Sequence, residues 1–153
     1  MTLRSDIMDG MKTAMKEKET LALSTLRLVN AAIKDRDIAA RAEDRPNGID
    51  EVEILSLLAK MVKQRDESAR IYDENGRPEL AERERSEMDV IKRYMPQPLS
   101  ADELNSAVQS AVEELDATCL KDMGRVMGVL KGKYAGRMDM GKASAAVKNL
   151  LAS

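Results

Sequence analysis

Apolar residues recur at intervals of three and four along nearly the whole chain, which is the spacing of one face of an amphipathic α-helix. The alternation of apolar and polar residues that is typical of β-strands is absent. Turn and capping residues divide the helical pattern into segments. We therefore predict an all-α protein, with helices over residues 2–16, 20–42, 51–74, 78–94, 101–116, 121–134 and from 140 onward.

Local chemistry at the turns supports these helix boundaries. Asp50 with Glu53, and Ser100 with Glu103, have the spacing of a capping box, in which two side chains satisfy free N–H groups at a helix start. Glycines favour the end of a helix, proline its first turn, and aspartate its N-cap. Gly76 and Gly136 therefore predict helix ends, Pro78 predicts a first helical turn, and Asp139 predicts an N-cap.

The apolar stripes also predict which side of each helix is buried. The stripe of the first helix includes Ile7 and Met15, and that of the second includes Leu28, Val29 and Ile33. Because these positions share a face at helical spacing, we expect all five side chains to lie in a core.

Pro96-Gln97-Pro98 is the clearest break in the chain. Two prolines around one residue disfavour a continuous helix and stiffen the connection. We therefore predict an N-terminal domain of four helices over residues 1–95, joined to a C-terminal domain of three short helices over residues 96–153. The second domain is small for an independent core, so we expect it to be only marginally stable alone or to pack on a neighbour.

Composition excludes several classes of function. The chain has no histidine and one cysteine, Cys119, which removes the usual general base and the Ser-His and Cys-His pairs of many hydrolases. No run of residues has the apolar character of a membrane span, and the N-terminal residues lack the apolar core of a secretory signal. From the composition we predict no cofactor, no metal, no membrane partner and a cytoplasmic location.

Charge is unevenly distributed in the last third of the chain. The whole chain has a net charge of −2, so any nucleic-acid contact requires a local patch. Residues 97–116 carry five acidic and no basic residues, whereas residues 117–153 carry seven basic and two acidic residues. Such a basic element can neutralise phosphates. It can equally be a solvated surface that pairs in part with the acidic fifth helix.

Glycines give the sixth helix an unusual composition. Gly124 and Gly128 are four residues apart and therefore lie on one face. Each costs about 1 kcal/mol relative to alanine in a helix interior, so another interaction should offset the cost. A glycine face allows a second backbone to approach closely, and that backbone is either a packed helix or a sugar-phosphate chain.

A dense polar run, Lys63-Gln64-Arg65-Asp66-Glu67-Ser68, follows the apolar part of the third helix. Gln64 and Arg65 share the side that is apolar in the preceding turns. We predict that both side chains form a buried polar cluster with glutamates of the fourth helix and with Tyr72, rather than a binding site.

Several of these segments together resemble the GatB/YqeY family. The resemblance extends in order along nearly the whole chain. The segments that carry it are residues 25–34 (TLRLVNAAIK), 63–68 (KQRDES), 94–100 (YMPQPLS), 121–128 (KDMGRVMG) and 136–139 (GRMD), together with Tyr72, Gly76 and Arg77.

The resemblance implies an all-helical fold of two parts, related to the C-terminal tail of the B subunit of the glutamine-dependent tRNA amidotransferase. In that family the tail contacts tRNA, while catalysis lies in domains that this sequence lacks. The implied function is a tRNA-binding module that is not a carbon–nitrogen ligase alone. The alternative is an accessory subunit that docks on an amidotransferase or an aminoacyl-tRNA synthetase. We expect no DNA partner. The tRNA-binding candidates are Lys121, Gly124, Arg125, Gly128, Lys131, Lys133, Arg137 and Lys142.

Overall fold

Caps and breakers place the helices close to where the sequence pattern predicts them. The computed structural model describes residues 2–152, and within them the chain forms seven α-helices and no strand, which confirms the all-α prediction. The helices are α1 Leu3–Lys16, α2 Thr20–Ala42, α3 Glu51–Glu74, α4 Pro78–Lys92, α5 Ala101–Glu114, α6 Met123–Tyr134 and α7 Met140–Ala152, and a 3₁₀ turn at Leu120–Asp122 precedes α6.

Both predicted capping boxes are present. Asp50 accepts the Glu53 N–H at 2.8 Å while the Glu53 carboxylate accepts the Asp50 N–H at 3.3 Å. Ser100 and Glu103 exchange the same two hydrogen bonds at 3.2 and 3.1 Å. Each box satisfies N–H groups that a helix start would otherwise leave free.

Two helices end earlier than predicted. Helix α4 stops at Lys92, two residues before the expected end at Tyr94, close to the proline pair that disfavours helical backbone. Helix α5 stops at Glu114 because Asp116 adopts a left-handed backbone with φ of 50°. Such a conformation ends a right-handed helix.

Contacts within the chain divide it into two compact units, the first ending at Met95 and the second beginning at Pro96. The first unit contains α1 to α4, and its core is built mainly of aliphatic side chains. The largest fully buried ones are Ile7, Leu26, Val29, Ile54, Leu58 and Ile91. The expectation that the second domain is only marginally stable alone, or packs on a neighbour, stays a prediction.

Two of the predicted core positions are wrong. Leu28 is 52 % exposed, and Met15 is also exposed. The buried side of α2 passes instead through Leu26, Val29 and Ile33. Because a helix turns about 100° per residue, Leu28 lies about 200° from Leu26, on the opposite side. The sequence offered both leucines, and only packing against the other helices selected Leu26.

A buried carboxylate, not predicted from the sequence, joins three parts of the first unit. Asp37 on α2 accepts two hydrogen bonds from the Arg4 guanidinium of α1, at 2.6 and 2.7 Å. It also accepts the Ile49 N–H at 2.9 Å, while Arg4 donates to the Ile49 carbonyl at 2.8 Å. The Arg4 hydrogen bonds hold the pKa of Asp37 at about 2, although burial of the carboxyl opposes this shift. The cluster therefore fixes the α2–α3 loop against α1.

The predicted polar cluster on α3 is confirmed for Arg65 and wrong for Gln64. Arg65 Nε donates to Glu87 Oε2 of α4 at 3.1 Å, and both side chains are only 13 % exposed. Gln64 points to solvent, and Tyr72 is not a hydrogen-bond partner of Arg65 among the described residues. Arg65 therefore has the structural role that the polar run suggested.

The second unit packs α5, α6 and α7 around a small aliphatic core. Val108 of α5 meets Val126 and Leu130 of α6, and Ala143 and Val147 of α7 complete the cluster. Asp139 caps α7 as predicted, because its Oδ1 accepts the N–H groups of the second and third residues of that helix at 2.8 and 3.1 Å. None of the helices described, in either unit, combines the length and apolar character needed to cross a membrane.

Candidate functional site

The outer side of α6 is an uninterrupted line of glycines. Gly124, Gly128 and Gly132 are four residues apart and all three are exposed, whereas Val126 and Leu130 turn into the core. We call this side, formed by the three glycines, the glycine face. The helix is anchored by its opposite side and presents bare backbone outward.

The space over the glycine face is empty of protein. A Cβ added at Gly124, Gly128 or Gly132 would have no atom within 4 Å. Within the second unit, therefore, no helix packs closely on these glycines. Of the two explanations that the sequence allowed, packing by a helix of this unit is wrong, and contact with a sugar-phosphate chain stays a prediction.

Three of the predicted basic residues lie on α6 near the glycine face or just before the helix. Arg125 and Lys131 are each three residues from Gly128 and therefore flank the glycine face. Lys121 is in the 3₁₀ turn that precedes α6. Lys121 and Lys131 are exposed and make no ion pair with another described residue. Both ammonium groups are therefore available to an anion.

Asp122 positions the third of these cations. Its carboxylate accepts the Thr118 N–H at 3.0 Å and the Arg125 guanidinium at 2.8 Å. The backbone hydrogen bond from Thr118, followed by the one from Arg125, lowers the pKa of Asp122 to about 2. The group is thus ionised at neutral pH, and it tethers Arg125 at the N-terminal end of the glycine face. Sequence reasoning gave Asp122 no role, although an acidic residue three positions before an arginine is a recognisable pairing signal.

The structure does not bring the other three basic candidates to the glycine face. Lys133 is on the flank nearer α5, where its Nζ lies 3.2 Å from Glu114 Oε2. Arg137 lies beyond α6, and Lys142 is in the first turn of α7. These positions place them around the glycine face rather than on it.

Arg137 has a structural contact of its own. Its Nε donates to the Gln97 carbonyl at 3.0 Å, and its carbonyl accepts the Leu99 N–H at 2.7 Å. These two bonds hold the segment before α5 against the turn after α6. Any contact of Arg137 with an external anion must use its remaining donors.

The glycine face consists of exposed helix backbone with cationic side chains beside it. The chain has no histidine, and no three His, Cys, Asp or Glu side chains of the described residues are grouped as metal ligands would be. The face combines close backbone access with positive charge, which are the properties needed to hold a polyanion.

Fold and site together define a small helical protein of two units, with a basic, glycine-faced helix in the second. The chain belongs to the Yqey-like protein family, whose model matches residues 4–151. The family resemblance noted in the sequence is thereby confirmed.

The curated relatives are fungal proteins named "Altered inheritance of mitochondria protein 41, mitochondrial". The protein from Lachancea thermotolerans is 32% identical over 113 residues, which cover 72% of this chain and 58% of the relative. That from Clavispora lusitaniae is 35% identical over 102 residues, covering 66% and 56%. That from Eremothecium gossypii is 34% identical over 110 residues, covering 71% and 58%. The matches thus span little more than half of each relative.

These names contradict the cytoplasmic location predicted from the sequence, because the relatives are named as mitochondrial proteins. The prediction was wrong for a physical reason. It rested on the absence of an apolar secretory core, but mitochondrial targeting uses amphipathic, arginine-rich segments that this criterion does not detect.

Proposed function

We propose that this protein binds tRNA through the glycine face of α6 and the cations that flank it. The observation that supports the proposal is the open space above Gly124, Gly128 and Gly132, beside the unpaired Lys121 and Lys131. A surface of this kind suits the sugar-phosphate backbone of a structured RNA.

The glycines of α6 do not favour a helix. A glycine in a helix interior, as Gly128 is, costs about 1 kcal/mol relative to alanine. No described atom of the chain makes use of the space they leave. The benefit must then come from an external molecule whose atoms lie against the helix backbone.

The cations near the glycine face and the scarcity of aromatic residues indicate how RNA would be recognised. Lys121, Arg125 and Lys131 would contact phosphates directly, and Lys133, Arg137 and Lys142 would extend the contact around the face. The chain has three tyrosines and no phenylalanine or tryptophan, so it has little material for stacking on unpaired bases. Recognition would therefore follow the shape and backbone of a folded RNA.

The family resemblance supports a role in recognition rather than chemistry. The related tail of the amidotransferase B subunit contacts tRNA, while a glutaminase subunit and an acyl-activating domain perform the reaction. We infer that this chain is not a carbon–nitrogen ligase by itself. Its tRNA contact would serve an amidotransferase or an aminoacyl-tRNA synthetase that supplies the catalytic domains.

Replacing Lys121 and Lys131, which make no ion pair with a described residue, tests whether these cations bind tRNA phosphates. In the variant Lys121→Gln with Lys131→Gln we expect tRNA affinity to fall about tenfold or more, because two phosphate contacts are lost. The slope of log K against log salt should become shallower by about 2. Both quantities are measured by fluorescence anisotropy of labelled tRNA across a salt series.

The matched control replaces Lys60 and Lys63 with glutamine on α3, where both side chains are exposed and make no ion pair with a described residue. This control removes the same net charge from the molecule. Equal tRNA affinity and salt slope in the two double variants would refute the localisation to α6.

Replacing a glycine tests whether the RNA backbone approaches the backbone of α6 closely. Gly128→Ala should raise the free energy of unfolding of the second unit by about 1 kcal/mol, because the added methyl meets open space and alanine favours the helix. The same change should weaken tRNA binding, since the methyl holds the backbone of the RNA away from the helix.

Asn105→Ala on the exposed side of α5 is the control for this experiment. It should also stabilise the second unit through helix propensity, but leave tRNA affinity unchanged. If Gly128→Ala binds tRNA as tightly as the wild-type chain does, the glycines do not serve close approach to RNA.

A second candidate function is docking of a partner protein on the same surface. It is favoured by Leu120, an exposed apolar side chain immediately before Lys121. Affinity purification with and without ribonuclease distinguishes the two functions. An amidotransferase or synthetase subunit retained after ribonuclease treatment, and lost in Gly128→Ala, would favour docking.

A further inference from the structure

A groove between α1 and α2 in the first unit has a character that the proposed tRNA contact does not explain. It encloses about 360 Å³ and is lined by residues of both helices. Ile7 and Ile33 form its floor and are almost fully buried. Met8 of α1 and Ile38 of α2 form its walls and are 44 % and 63 % exposed.

Positive charge surrounds this apolar floor. Arg4, Lys34 and Arg41 line the groove against one carboxylate, Asp37, so the lining has a net charge of +2. The chain up to Pro96 has 18 basic and 20 acidic residues, a net charge of −2. The groove is thus a cationic site on an acidic unit.

The opposite charges of Arg4 and Asp37 at the base of the groove are paired with each other. Both Asp37 oxygens accept hydrogen bonds from Arg4, and the Ile49 N–H donates to one of them. Lys34 and Arg41 are exposed and make no ion pair with a described side chain. The net positive charge is therefore carried by these two exposed side chains, of which Arg41 also helps to lower the pKa of Asp37.

The groove has the length and direction of a helix. Its α2 lining runs from Asn30 to Arg41, three helical turns or about 16 Å. On α1 the lining extends from Arg4 to Met8. Flexible methionine side chains adapt to the apolar surface of a partner. An open groove of this shape suits an amphipathic helix better than an enclosed small molecule.

We propose that the α1–α2 groove docks an amphipathic helix of a partner protein whose apolar stripe is flanked by aspartate or glutamate. The apolar stripe packs between Met8 and Ile38. The acidic flanks meet Lys34 and Arg41. The Arg4–Asp37 cluster keeps the two walls of the groove at a fixed spacing, so that the site is formed before the partner arrives.

Designed peptides test this without knowledge of the natural partner. One peptide of about 18 residues carries leucine at intervals of three and four with glutamate beside the stripe, and a companion carries lysine in place of glutamate. Binding of each to the full chain is measured by fluorescence anisotropy at low and high salt. The acidic peptide should bind at least about tenfold more tightly than the basic one, and its affinity should fall with salt.

Variants of the full chain localise the binding. Lys34→Glu with Arg41→Glu should lower affinity for the acidic peptide about tenfold or more, and Ile38→Ser should lower it several-fold. Arg36→Glu with Lys60→Glu is the matched control. Arg36 is exposed on the opposite side of α2, and Lys60 is exposed on α3. The control variant should bind as the wild-type chain does.

Several results would overturn the proposal. Equal affinity for the acidic and basic peptides would show that charge complementarity does not guide binding. Unchanged peptide affinity in the Lys34→Glu, Arg41→Glu variant would show that the peptide does not bind in the groove. Self-association in sedimentation that this variant abolishes would assign the groove to a second copy. Binding to vesicles of phosphatidylcholine with phosphatidylglycerol that the variant abolishes, without peptide binding, would assign it to a membrane surface. Since all of these variants lie outside α6, the outcome is independent of tRNA binding.

Discussion

Replacing Asp37 with alanine is expected to lower the free energy of unfolding of the first unit by about 3 kcal/mol. The side chain of Asp37 is only 8 % exposed, and its loss would leave the Arg4 guanidinium without its counter-ion. The buried Ile49 N–H would also lose its acceptor. The Ile49 N–H would remain buried without an acceptor, which costs more than the hydrogen bond itself contributes.

Urea unfolding of the full chain measures this effect, and hydrogen exchange of peptides from residues 2–95 assigns it to the first unit. Asp35→Ala is the control, since Asp35 is exposed on the same helix and makes no ion pair with a described residue. We expect it to change stability by less than about 0.5 kcal/mol. A loss in Asp37→Ala no larger than in this control would contradict a structural role for the cluster.

The same cluster predicts a pH dependence. The pKa of Asp37 is about 2 in the folded protein, against a usual value of 3.8. A lowered pKa means that the folded state favours the ionised form, so the stabilisation is complete above about pH 4 and is lost as pH falls towards 2. The difference in unfolding free energy between wild type and Asp37→Ala should therefore shrink over this range.

Replacing Gly48 with alanine should be comparably damaging, at about 3–4 kcal/mol, because this buried loop residue lies against the Asp37 carboxylate. Gly48 has φ of 78°, a conformation that disfavours any residue with a Cβ. An added Cβ would lie 2.7 Å from Asp37 Cγ and closer still to Oδ1. It would push the carboxylate out of its hydrogen bonds to Arg4 and Ile49.

Gly76 provides a control that separates the cost of the backbone conformation from the cost of the contact with Asp37. It has φ of 70°, but a Cβ added there would meet nothing within 4 Å. Gly76→Ala should therefore cost only the backbone strain, about 1–2 kcal/mol. Urea unfolding of the two variants gives the difference directly. Equal losses would show that the contact with Asp37 is relieved by movement of the loop.

The candidate site was predictable in composition but not in arrangement. The sequence predicts the glycines and the cations of this site as candidates. For Arg125 and Lys131 a common side with the glycines follows from helical spacing. The position of Lys133 depends on the neighbouring α5 helix, with which it pairs. Arg137 depends on the path of the segment before α5. Contacts of this kind join residues far apart in sequence, so spacing along one helix does not reveal them.

Whether another part of the protein covers the glycines of α6 could also not be predicted from the sequence. A glycine pair four residues apart is compatible with close helix packing and with an exposed backbone. Which of these occurs depends on where α5 and α7 lie, and both approach the Val126 and Leu130 side of α6. Helical spacing places the glycines on one side of α6, but it could not tell what, if anything, covered that side.

Local chemistry determined the helices of this protein. Capping boxes, the proline at the first turn of α4 and the glycine and proline breaks act over a few residues, so the sequence alone located six helices to within about two residues at each end, and the start of the seventh. Tertiary packing decided the rest. It placed Leu26 rather than Leu28 in the core, joined Asp37 to Arg4, and left the glycine face uncovered, because each of these depends on the free energy of contacts between helices rather than on the preference of any one segment.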